Sequence, residues 1–166
     1  MTTFENAGQI QRDANRQPIV SNEYYHLVKR ITFDGGIENG IGDASGTSNP
    51  YNVFSVTGEV IASFFGFVKE DLVGLGNVTL GVTGDLDRMI PQITAGSSAA
   101  WLGSIADDGA ALEGDYDTVF LPRPRPLSSL NSPDIQVSVN DDVTAGAIDF
   151  YCLWRPLSVD GLVEAA

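Results

Sequence analysis

The 166-residue chain holds few side chains able to do covalent chemistry: one histidine, His26, and one cysteine, Cys152, beside 22 Asp and Glu. A nucleophile needs a base within reach to activate it. His26 opens an apolar run (residues 24–33), where a partly exposed strand histidine is expected. Cys152 lies between Tyr151 and Leu153, and an apolar setting keeps such a thiol protonated and inert. One histidine and one cysteine supply neither a disulfide nor a Cys or His set for zinc. Carboxylates pair at Glu70-Asp71, Asp85/Asp87, Asp107-Asp108 and Asp141-Asp142. Two carboxylates across a cleft are the minimum for glycoside hydrolysis, but neighbours in sequence do not make a cleft. None follows a calcium-loop spacing, and solvated turns are their ordinary place. Gly35-Gly36 with Gly40 and Gly42 lack the Lys-Ser/Thr and the helix of a phosphate loop. No catalytic residue, metal ligand or cofactor is therefore expected, and the chain reads as non-enzymatic.

What remains is chemistry of contact. The formal charge is −13, from 22 acidic and nine basic residues. It is unevenly spread. Residues 1–32 hold four basic and three acidic side chains, and residues 33–166 hold five basic and 19 acidic. Such a body does not suit nucleic acid, whose phosphates need Lys and Arg. It also separates like copies unless specific contacts offset the repulsion. Arg12 and Arg16, in the slightly basic leader, are candidate partner contacts. So are Arg123 and Arg125 in Leu121-Pro122-Arg123-Pro124-Arg125-Pro126-Leu127. There three alternating prolines fix φ and remove donors, so an extended connector outside any central strand is expected. Phe65 and Phe67 complete the candidates, for a reason that lies in their strand.

Residues 51–70 carry the strongest β pattern. Phe54, Val56, Val60, Ala62, Phe64 and Val68 share one parity; Ile61, Phe65 and Phe67 share the other. A strand apolar on both faces needs cover on both, from a second layer or a neighbouring subunit. Gly58 and Gly66 are expected bulge or kink sites. Residues 24–33 read as another strand, and residues 71–77 as a turn. Val78, Leu80 and Val82 alternate with polar or small residues, as do Ile135, Val137 and Val139. Residues 89–94 suggest a short strand broken at Pro91. Residues 99–102 and 118–121 suggest two more. In residues 147–155, Ile148, Phe150, Cys152 and Trp154 share a face against Asp149, Tyr151 and Leu153. Residues 34–50, with five glycines, form a loop long enough to expect a functional or interfacial role. No segment sustains a helical period, so the class is all-β. The expected architecture is an antiparallel β-sandwich or jelly-roll-like barrel over residues 24–166. An extended N-terminal arm precedes it over residues 1–23, with residues 16–20 able to form one short strand. No apolar run nears the roughly 20 residues of a membrane helix. The start lacks the apolar stretch of a signal peptide, so synthesis in the cytoplasm is expected.

Lys29-Arg30-Ile31-Thr32-Phe33-Asp34-Gly35-Gly36, Asn39-Gly40-Ile41-Gly42-Asp43, Gly46-Thr47 and Val53-Phe54-Ser55-Val56-Thr57-Gly58-Glu59-Val60 together resemble a small virion protein of tailed bacteriophages. The stretch from Asp142 to Ser158 (DVTAGAIDFYCLWRPLS) is similar to the same family, and Arg12-Asp13-Ala14-Asn15-Arg16-Gln17-Pro18 resembles the arm-like leaders of phage structural proteins. The resemblance spans roughly residues 12–160, is weakest over 84–134, and rests on turn and strand patterns rather than catalytic signatures. It implies a β-sandwich subunit of the particle, with capsid decoration or cementing as its role. The major capsid protein would be the partner, and a dimer or trimer the assembly. The place implied is the capsid surface of the virion. A head-fibre, tail or receptor-binding module touching host glycans is the alternative, with Trp101 or Tyr116 as its aromatic platform.

Overall fold

The computed structural model describes residues 24–94, 101–103, 125–128 and 134–166. Ten strands and no helix occur among them: β1 Tyr25–Thr32, β2 Tyr51–Thr57, β3 Glu59–Gly74, β4 Asn77–Val82, β5 Asp85–Thr94, β6 Trp101–Gly103, β7 Arg125–Ser128, β8 Asp134–Val139, β9 Val143–Pro156 and β10 Leu162–Ala165. They form two antiparallel sheets. The first has the order β1-β9-β3-β6, with β7 also paired to β3; the second has the order β10-β2-β8-β4-β5. The fold is the expected all-β sandwich. The expected arm, with its short strand at 16–20, and the expected strand at 118–121 lie outside the described residues.

Alternation dictates which side chains meet between the sheets. Leu27, Cys152 and Phe64 align across β1, β9 and β3, as do Ile31, Ile148 and Val68. These inward rows face Val78, Leu80 and Val82 of β4 and Ile135, Val137 and Val139 of β8, all buried. Phe64 reaches Phe54 of the second sheet with ring centroids 5.9 Å apart. Along one open side, Lys29 Nζ donates to the main-chain oxygen of Ala166 at 2.6 Å, joining edge strand β1 to edge strand β10.

The boundaries differ from the expected ones for local reasons. The 51–70 pattern is two strands in different sheets, because Gly58 at φ +61° turns the chain between them. Its left-handed backbone suits glycine, and an added Cβ would meet Asp160 and Ser158. Gly66 is no bulge: it sits in register between Phe150 and Leu102. The irregularities come later, between Val68 and Gly74, and β3 runs on through residues expected to turn. Pro91 does not break β5. That strand lies at a sheet edge, and its register shifts between Val78/Ile93 and Leu80/Ile90, where Pro91 falls. An edge and a bulge are where a residue without an N–H fits a sheet. β9 starts at Val143, earlier than its apolar run implied, and β10 had no expected counterpart. β6 and β7 share one edge of β3, opposite Phe65–Phe67 and Glu59–Ala62. Arg125 and Pro126 thus lie in an edge strand, consistent with exclusion from central positions.

Candidate docking face

The outward side of β1, β9 and β3 carries three cross-strand rows: His26, Leu153 and Ser63; Val28, Tyr151 and Phe65; Arg30, Asp149 and Phe67. Val28 is 48% exposed, and Tyr24, just before β1, is 43% exposed. Ile61, Phe65, Phe67, Tyr151 and Leu153 are half-buried. The second apolar parity of β3 therefore stands on the outer surface of the sandwich. Phe65 and Tyr151 stack, with centroids 4.9 Å apart and planes 3° from parallel. Neighbouring strands place these rings side by side, so each covers a face of the other. What the pair offers a partner is ring edge and outer flank, a poor match to the flat ring face on which a sugar stacks.

Charge frames this apolar centre. Arg30 donates from Nε to Asp149 Oδ1 at 2.6 Å and from the guanidinium Nη2 to Oδ2 at 2.9 Å. The two-point bond to Arg30 holds the Asp149 carboxyl below its ordinary value, with Lys69 adding to the pull. Arg30 is correspondingly raised, chiefly by the same bond. Lys69 is exposed, two residues beyond Phe67. Toward the other end, the Arg155 guanidinium carbon lies 5.6 Å from the Tyr24 ring centroid, a cation over an aromatic face. Arg155 Nε is shielded from solvent without a hydrogen-bond acceptor among the described residues.

The outer side of the second sheet is different. Its cross-strand neighbours are Ser55 with Asp134, Asn52 with Gln136, and Thr79 with Ser138. Gln136 Nε2 donates to Asn52 Oδ1 at 2.8 Å. A broad open depression of about 600 Å³ there is lined by Pro50, Thr79, Gln136 and the exposed Asp85 and Asp87. One outer face is thus aromatic and cationic and the other polar and acidic. Of the six Lys and Arg among the described residues, only Arg88 belongs to the second sheet.

The 34–50 loop closes one end of the sandwich as a fixed structure. Asp43 Oδ2 accepts from the Asn39 amide, and Oδ1 accepts from the Ser45 amide and hydroxyl. Asn39 adopts the left-handed region at φ 60°, which Asn tolerates, and its side chain accepts from Thr47. Asn49 bonds to both Ala44 and Val139, tying the loop to β8. At this end Leu75, Ile37 and Val73 are 87%, 64% and 53% exposed. Thr144 links them: its hydroxyl donates to the Val73 carbonyl, and it lies against Gly36, next to Ile37. Exposed Glu38, Asp71, Asp141 and Asp142 surround this apolar tip.

Phe65 and Phe67 lie together on the aromatic face, as their shared parity requires. Arg125 is placed on the adjoining edge, opposite Ala62. Arg12, Arg16 and Arg123 lie outside the described residues. Val28, Tyr24, Arg30 and Arg155 were not singled out from sequence, because only cross-strand register reveals them as neighbours of Phe65. His26 is an exposed strand residue, and Cys152 is buried with its thiol pushed far up by desolvation. Among the described residues no group of three His, Cys, Asp or Glu side chains is placed to hold a metal ion. No helix among them is long and apolar enough to cross a membrane. Compared with known proteins, the chain matches no family model, no curated protein and no solved structure.

Proposed function

We propose that the protein is a non-enzymatic structural subunit of a tailed-phage particle, a decoration or cement protein that binds the outer capsid lattice and stabilises it. The observation that carries this reading is the contrast between the two outer faces. A sheet surface centred on Val28, Tyr151 and Phe65 and framed by arginines has the make-up of a protein–protein contact, where Tyr, Phe and Arg are enriched and Lys and Glu are sparse at the centre. On a chain of charge −13, this is the face a neighbour can approach with least repulsion. Residues 1–23, through Arg12 and Arg16, contact the major capsid protein, and the aromatic face packs against a neighbouring subunit. Many modest contacts repeated over a lattice then sum to firm attachment. The Phe65–Tyr151 stack favours a protein partner over the glycan-binding alternative, since the paired rings hide the surfaces a sugar would use.

The test is the copy number of this chain, by quantitative mass spectrometry, in purified particles of the phage that encodes it. A ratio to the major capsid protein near one, or near a simple fraction such as one third, is expected. A ratio of a few per cent would place the chain at a vertex, neck or tail and favour the receptor-binding module. Absence from the particle would overturn both. Deleting residues 2–22 is expected to leave a folded body that no longer binds capsids; undiminished binding would remove the role given to the arm.

A further inference from the structure

We propose that the aromatic face takes the loop end of a second copy of this chain, so that copies join head to tail. This rests on reading that face as a protein contact and names its neighbour; it does not depend on the particle.

The two surfaces match in chemistry. The face has an apolar centre at Val28 and Tyr151, with Arg30, Lys69 and Arg155 around it. The tip has an apolar centre at Ile37, Val73 and Leu75, with Glu38, Asp71, Asp141 and Asp142 around it. Apolar centre then meets apolar centre, and cations meet carboxylates. The symmetric alternatives do the opposite. Face against face would crowd two sets of arginines and lysine, and tip against tip would crowd two sets of carboxylates. Like charges brought together without partners disfavour a contact strongly. Head to tail is therefore the one pairing of these surfaces in which charge favours contact.

The tip is also built to be inserted. Leu75 caps a tight turn whose amide, with that of Gly76, donates to the Asp142 carbonyl. Ile37 stands on a loop held by the Asp43 and Asn39 bonds. Little ordering is left to lose on contact, which favours binding. A contact between two different surfaces of one chain closes into a ring when the rotation allows and otherwise continues as a filament. A closed trimer is one such ring.

Sedimentation of the full chain decides it. The weight-average mass is expected to rise with concentration above the 17.7 kDa of one chain. Val28→Asp spoils the face, and Leu75→Asp spoils the tip. Both side chains are exposed, so the fold should survive, as circular dichroism will report. Each variant alone is expected to stay monomeric. Mixed, they retain one good face and one good tip, so they should form a one-to-one dimer that grows no further. Thr57→Asp, on the other sheet, adds the same charge and should associate as the parent does. A parent monomeric up to millimolar concentration would overturn the proposal. So would loss of association by Val28→Asp but not by Leu75→Asp, which marks a symmetric contact, or a mixture that stays monomeric. Each of these outcomes is independent of the copy number in particles.

Discussion

Asp43 organises the 34–50 loop with a single carboxylate. Its oxygens satisfy the amides of Asn39 and Ser45 and the Ser45 hydroxyl, which stabilises the charged form and lowers its pKa, the Asn39 bond contributing most. Asp149 is lowered chiefly by Arg30, and Asp160 chiefly by the Ser158 hydroxyl. A carboxylate whose folded pKa lies below its unfolded value of 3.8 stabilises the fold above that value. The contribution is lost as pH falls through the folded value. Stability measured by urea unfolding is therefore expected to hold near neutral pH and to drop between about pH 5 and pH 2. Asp149→Asn removes one of the three groups, so its stability should change less across that window than the parent's. Equal pH dependence in both would show that the Arg30–Asp149 pair has no net linkage to folding. Asp43→Ala should instead act locally, speeding hydrogen exchange at the Asn39 and Ser45 amides while β3 and β9 stay protected.

The long central strands β3 and β9 form the longest ladder in the first sheet, and their inward side supplies most of its contact with the second. Phe64 is 4% exposed and touches Phe54 across the interior. Phe64→Ala removes a buried ring that no neighbour can replace and should cost about 3–5 kcal/mol. The denaturation midpoint should fall with the slope unchanged, because the surface exposed on unfolding is nearly the same. A cost below about 1 kcal/mol would mean that the inter-sheet space collapses around the loss. The faces of these elements were legible in sequence, since parity alone sorts Ile148, Phe150, Cys152 and Trp154 from Asp149, Tyr151 and Leu153. Their partners were not. Alternation is silent on which strand lies beside which, so nothing in the residues placed Val28 beside Tyr151 or Arg30 beside Asp149. Boundaries failed where backbone geometry overrode pattern. Gly58 splits an unbroken apolar run, whereas Pro91, at an edge with a bulge, breaks nothing. The four residues of β10 are too few to show a period.

Over the whole molecule, charge opposes compactness. With −13 on 166 residues, most pairs of charges repel, and the carboxylates around the loop end are the densest group described. Salt shortens the reach of that repulsion from about 30 Å at 0.01 M to about 8 Å at 0.15 M. The few attractive pairs respond differently: Arg30 and Asp149 sit in direct two-point contact, with the carboxylate only 12% exposed, and are screened less. Sodium chloride over that range should therefore raise the melting temperature of the dilute protein. A rise of roughly 2–4 °C corresponds to about 1 kcal/mol at this length. Chloride keeps the test electrostatic, where sulfate would also strengthen apolar burial. Glu38→Lys adds two positive units at an exposed loop position. It should raise the low-salt melting temperature and shrink the salt response. If salt instead lowers the melting temperature of the parent, local pairs outweigh the net charge, and the acidic body is better balanced than its sum implies. In that case repulsion between copies would also be weaker than −13 suggests, and charge would restrict the choice between pairings less.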